Sequence, residues 1–136
     1  MIEAAYNKVR GVQISLSEQN LIDCDKANGG CEGGWPGDAF TYVDNNGLAG
    51  MIYEYVNKQQ KMCLVKKYKK LFPADNFIRI NDEAINGDEE RLKRIVYHKG
   101  PVVVAVHICD EMLAYATGVF MCDTCNKVDV NHAVVS

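Results

Sequence analysis

His132 stands in Val130-Asn131-His132-Ala133-Val134-Val135, at the mouth of an apolar run, where an imidazole is placed to move protons. Local sequence alone favours a core or rim histidine over a catalyst. Just upstream, Cys122-x-x-Cys125 has the spacing of a metal or redox pair. A closed zinc site built with His132 wants a fourth ligand, which would have to be Cys109 or His107. Redox chemistry needs a thioredoxin-like strand beside the motif, and the flanking residues do not supply one. A third group is Cys31-Glu32-Gly33-Gly34-Trp35-Pro36. Its paired glycines are either a plain turn or backbone left bare for an extended peptide to approach. His98 and His107 read as structural or surface residues.

Regular elements must hold these groups in place. Ile2, Ala5 and Val9 recur at helical spacing over residues 2–10, and Gly11 closes that helix. Ser15 and Ser17 are both N-cap residues for a short helix at Glu18–Cys24, with Ser15-x-x-Glu18 in capping-box form. A Gly-, Asn- and Asp-rich loop follows. Pro36 then opens another helix, burying Ala39, Phe40 and Val43 and ending at Asn45-Asn46-Gly47. Residues 48–76 carry no clear pattern. Phe77–Ile80 reads as a strand, Asp88 caps a helix through His98, and Gly100-Pro101 ends it. The β-branched run from Pro101 to Ile108 predicts a buried strand, and His132–Val135 begins another. Helices first and strands later give an α+β order.

The chain has 136 residues, 48% hydrophobic and 24% charged, which is ordinary for one globular domain. A net charge of −3 argues against nucleic acid or an anionic membrane as partner. The lysines of 61–70 are interleaved with Leu64, Val65 and Tyr68, the pattern of a solvated loop or hairpin face. No run approaches the ~20 apolar residues of a membrane-spanning helix. Six cysteines in so short a chain point to an oxidising compartment and a disulfide framework.

Taken together, Ser15–Phe40 (SLSEQNLIDCDKANGGCEGGWPGDAF), GPVVVAV at 100–106 and VNHAVV at 130–135 resemble papain-like cysteine peptidases, nearest the cathepsin L and H group. The resemblance implies an α+β fold of two subdomains. Residues 1–75 would be part of the helical left one and 76–136 part of the β-rich right one. It implies His132 as general base and acid in a Cys–His hydrolysis of peptide bonds. Gly33 and Gly34 would bond substrate backbone, Trp35, Pro36 and Ala105 would line an apolar S2 pocket, and the carbonyl of Asn131 would touch substrate. Many relatives carry aspartate at that last position.

The family's nucleophile lies in a CGSCW-like signature, with the histidine about 130–150 residues further on. That signature is absent from residues 1–136, and Cys24, Cys31 and Cys63 stand too close to His132. The expectation is a piece of an endopeptidase, incomplete at both ends, inactive in isolation and prone to aggregate. The alternative is a degenerate, non-catalytic fragment that binds peptides or inhibitors. By the same resemblance Cys24 bonds Cys63, Cys31 bonds a cysteine near the absent nucleophile, and Cys122 or Cys125 bonds one beyond Ser136. Cys109 has no counterpart. Expected partners are peptide or protein substrates, cystatin-like inhibitors or a propeptide, for a monomer that is lysosomal or secreted and needs no cofactor or metal.

Overall fold

The computed structural model describes residues 1–72, 88–122, 125 and 129–136. These form two compact units, Ile2–Gly100 and Pro101–Ser136 with Met1. The strand expected at Phe77–Ile80 and the subdomain boundary expected near residue 75 fall outside the described residues.

In the first unit, α1 (Ile2–Arg10) carries Glu3 in its first turn and Lys8 and Arg10 in its last, matching the helix dipole. Gly11 ends it at φ 67°, a left-handed conformation, with its N–H on the Asn7 carbonyl at 2.7 Å. The next helix, α2 (Glu18–Cys24), is capped by Ser17, whose Oγ accepts from Asn20 N–H at 3.0 Å. Ser15 is not the cap: its carbonyl accepts from Met51 N–H at 3.1 Å. Helix α3 (Pro36–Asn46) starts on its proline and stops at Gly47, φ 68°. Of the three residues expected to be buried there, only Val43 is; Ala39 and Phe40 are half-buried. Ala39 borders an open depression beside Gly33–Pro36.

The stretch after α3, which carries no sequence pattern, supplies much of the core. Strand β1 (Leu48–Ala49) pairs antiparallel with β2 (Lys70–Phe72), Leu48 opposite Phe72. Leu16, Val43 and Leu48 form one buried cluster, and Cys24, Ala49 and Tyr53 the other. Leu64, Val65 and Tyr68 pack on the second cluster while Lys66, Lys67 and Lys69 stay in solvent. The inner face of α2 is polar. Asn20 accepts from Ala49 N–H at 2.9 Å and donates to Tyr42 Oη at 3.0 Å. Asp23 accepts from Gln19 Nε2, Gln60 N–H and Tyr53 Oη at 2.8, 2.7 and 2.6 Å. No buried side-chain polar atom among the described residues lacks a partner, as burial of such groups demands. Helix α4 (Glu89–Lys99) closes the unit, capped by Asp88 on Arg91 N–H at 2.9 Å and ended by Gly100 at φ 110°.

In the second unit, β3 (Val103–Val106) and β4 (His132–Val135) pair antiparallel, Val103 opposite Val135 and Val106 opposite His132. Reciprocal bonds between Val102 and Ser136, at 3.0 and 2.9 Å, extend the ladder. A short helix, α5 (Asp110–Leu113), follows β3. Neither strand is buried as the apolar runs suggest. Ala105 and all four residues of β4 are exposed, because a two-stranded ribbon gives each strand only the other to lean on.

Candidate active site

His132 is the first residue of β4 and is exposed. It opposes Val106, so these two side chains share one face of the ribbon while Ala105 and Ala133, the next pair, share the other. Asn131 fixes the approach to it. The Asn131 N–H donates to the Val106 carbonyl at 3.1 Å, and its side-chain amide exchanges two bonds with the backbone of Ile108. His107 Nδ1 lies 2.5 Å from the Asp129 carbonyl. A carbonyl only accepts, so that nitrogen carries the proton. Ile108, Met112, Leu113, Asn131 and His132 line an open depression of about 510 Å³. An imidazole in this position is free to reach a reacting group from solvent.

The glycine loop belongs to the first unit. Gly30–Glu32 forms a single 3₁₀ turn, and Gly33 leaves it at φ 103°. Gly29 N–H bonds the Gly33 carbonyl at 2.9 Å, closing the loop. Behind it, Asp25 Oδ1 holds Ala27 N–H at 3.0 Å and Oδ2 holds Asn28 Nδ2 at 2.6 Å. Asn28 Oδ1 in turn accepts from Trp35 N–H at 2.5 Å. A Cβ at Gly34 would collide with the Asn28 side chain, so the residue must be glycine for this clamp to close. The N–H and carbonyl of Gly34 make no hydrogen bond among the described residues. Trp35 is 52% exposed. Gly33, Gly34, Trp35 and Pro36 line one depression of about 290 Å³, with Leu21 and Ile22 beneath.

A model of papain family cysteine proteases matches residues 1–136. The chain belongs to that family. It is 37% identical over 144 residues to Pro-cathepsin H of Medicago truncatula, covering 99% of this chain and 39% of the relative. To the aleurain-like thiol protease of Arabidopsis thaliana it is 39% identical over 145 residues, with coverage of 99% and 38%. The digestive procathepsin L 3 of Tenebrio molitor larval midgut superposes with a TM-score of 0.85 and 34% identity, over 98% of this chain and 43% of that one. A Carica candamarcensis cysteine protease in complex with E-64 matches at 0.76 and 28%, over 98% and 61%. The chain thus spans 39% and 38% of the length of these two curated relatives. The mixture of helices with antiparallel pairs is an α+β papain-like arrangement.

Within this papain-family chain, Cys24 and Cys63 are bonded, Cα–Cα 4.9 Å, against Ala49 and Tyr53. Cys31 is exposed and unbonded among the described residues. The Cα of Cys125 lies 5.9 Å from that of Cys109 and 5.6 Å from that of Cys122.

Sequence reasoning missed Asn28, the clamp behind Gly34 and Trp35, and Ala133, the partner of Ala105. Alternation along His132–Val135 could have revealed Ala133. Nothing local marks Asn28, whose reach depends on how the loop folds back.

Proposed function

We propose that this chain is a segment of a papain-like cysteine endopeptidase and supplies its catalytic histidine and part of its substrate-binding surface. The observation that carries the reading is His132 itself, exposed beside an open depression and held from behind by the Asn131–Ile108 pair. In this proposal a thiol from outside residues 1–136 forms a thiolate–imidazolium pair with His132. The cationic ring lowers the thiol's pKa and makes it the reactive species. Thiolate attacks the peptide carbonyl and His132 protonates the leaving amine. Water, activated by the same imidazole, then releases the acyl group.

Gly34 supports the substrate side of the proposal, since its backbone N–H and carbonyl are left for an extended peptide to bond. In the first unit Trp35 and Pro36 offer apolar surface for a P2 side chain; in the second, Ala105 and the Asn131 carbonyl are proposed to contact substrate. We assign residues 1–75 to the left subdomain and 76–136 to the right. The Cys24–Cys63 bridge fits a lysosomal or secreted setting, with a propeptide or cystatin-like inhibitor as further partner.

The test is turnover of a fluorogenic dipeptide with an apolar P2 residue, using the natural protein, its His132→Ala variant and the 136-residue chain alone. Expected are turnover by the first, abolished by a thiol-directed epoxide, and none by the other two. Full turnover by His132→Ala would refute the assignment. A natural protein with the mass of the 136-residue chain and no turnover would favour a peptide-binding role.

A further inference from the structure

Two hydrogen bonds hold the glycine loop along one edge. Gly29 N–H donates to the Gly33 carbonyl at 2.9 Å, and Trp35 N–H donates to Asn28 Oδ1 at 2.5 Å. Each bond fixes a peptide plane. No cis peptide occurs among the described residues, and a trans peptide points its C=O and N–H in opposite directions. The Gly33 carbonyl shares its plane with Gly34 N–H, so that N–H points away from Gly29. Trp35 N–H shares its plane with the Gly34 carbonyl, which therefore points away from Asn28. Residues 28 and 29 thus stand where a neighbouring strand would, and both polar groups of Gly34 are turned to the opposite edge.

The two anchors differ in kind. Gly29 contributes only backbone, whereas Asn28 contributes a side chain whose amide must keep its oxygen toward Trp35. Asp25 makes that choice. It is 2% exposed, and its Oδ2 accepts from Asn28 Nδ2 at 2.6 Å. A carboxylate accepts and an amide NH₂ donates, so Asp25 holds the nitrogen and leaves the oxygen for Trp35. The same Nδ2 lies 3.4 Å from the Trp35 carbonyl, so the amide faces both polar groups of Trp35.

We propose that Asn28, oriented by Asp25, is a positioning residue for peptide binding, aiming the Gly34 carbonyl at one main-chain N–H of an extended peptide. This role rests on the substrate side of the proposed function, in which Gly34 bonds peptide backbone. Without the Asn28 oxygen the Gly34–Trp35 peptide plane is free to turn, and ordering it on binding costs affinity. With it, the site rejects a peptide whose nitrogen at that place carries no hydrogen, as in proline or an N-methylated residue.

The test uses the natural-length protein carrying His132→Ala, so that peptide binds without being cut. The ligands are a fluorescently labelled, capped apolar tetrapeptide and analogues N-methylated at one amide each, with affinity read by polarisation. With Asn28 present, methylating one particular amide is expected to weaken binding about fivefold, the value of one hydrogen bond. Adding Asn28→Ala should weaken the parent peptide and cut the penalty at that amide to under about twofold, with the other penalties unchanged. An equal penalty with and without Asn28 would overturn the positioning role and leave Gly34 as a peptide-binding residue. No binding, or no costly amide with Asn28 present, would remove the substrate role of Gly34 and the role of Asn28 with it. Hydrogen exchange with Asn28 intact covers a variant that does not fold. Gly34 N–H should exchange freely without peptide and slowly with it, while Trp35 N–H is slow in both. Free exchange at Trp35 N–H would equally overturn the role given to Asn28.

Discussion

The side chain of Asn131 pairs with the backbone of Ile108 as a second peptide group would. Ile108 N–H donates to Asn131 Oδ1 at 2.8 Å, and Asn131 Nδ2 donates to the Ile108 carbonyl at 3.0 Å. The β3–β4 ladder is thereby carried one step beyond His132, and the peptide bearing the imidazole is held on both sides. Asn131→Asp keeps the acceptor but sets a carboxylate oxygen against the Ile108 carbonyl. Asn131→Ala removes both bonds. For a net bond of about 1 kcal/mol, each variant should speed amide exchange at Ile108 about fivefold. Hydrogen exchange read by NMR is the measurement. Unchanged protection in both variants would mean the pair does not hold the strand.

A second prediction concerns Tyr53, 2% exposed, which donates to Asp23 Oδ2 at 2.6 Å and accepts from Leu64 N–H at 3.2 Å. Burial first, and then the bond to Asp23, push its phenol up to about 12. In an unfolded chain a tyrosine titrates near about 10. The fold therefore favours the neutral phenol. Its contribution is complete below about pH 10 and is lost as pH rises through the folded value near 12. Tyr53→Phe leaves Asp23 with one bond fewer and should cost about 1–3 kcal/mol at neutral pH. Urea unfolding across the alkaline range should then show a flatter decline in the variant than in wild type. Parallel curves would contradict this account.

The Cys24–Cys63 bridge is the third. It joins the end of α2 to the chain that packs beneath Tyr53, across a sequence separation of 39. Closing a loop of that size removes unfolded-chain entropy worth about 4 kcal/mol in the polymer model. The double variant Cys24→Ser, Cys63→Ser should lower the urea midpoint with little change in the folded backbone. A loss well under about 1 kcal/mol would mean that the unfolded chain is already compact there.

Helix ends were the most legible part of this fold, because capping is local chemistry. Ser17, Pro36 and Asp88 start helices and Gly11, Gly47 and Gly100 end them, each within the few residues that a sequence pattern sees. Ser15 misled because two serines stand two apart and only the fold decides which one turns inward. Strands β1 and β2 were illegible, being too short to show alternation. Burial of Gln19, Asn20 and Asp23 was hidden as well, since polar residues on a short helix ordinarily face water. Of the candidate site, His132 and Gly33-Gly34 could be picked out by residue type and order. Asn28 could not, because its role arises only when the loop closes.

Asn28 gives the sharpest prediction for the glycine loop. Its amide stands between Asp25 and Trp35, accepting from the Trp35 N–H through Oδ1 while Nδ2 binds Asp25 Oδ2. Gly34→Ala would drive a methyl group into that side chain and force it from its place. Asn28→Ala would remove the clamp without adding bulk. If the clamp is what holds Gly34 and Trp35, the two variants should behave alike. Each should speed exchange of the Trp35 amide and shift the Trp35 emission, at a cost of about 1–3 kcal/mol in stability for the unmade bonds. Adding Asn28→Ala to Gly34→Ala should then cost little more, since the alanine methyl group no longer meets an amide. Additive losses in the double variant would show that Gly34 is restricted by something other than Asn28.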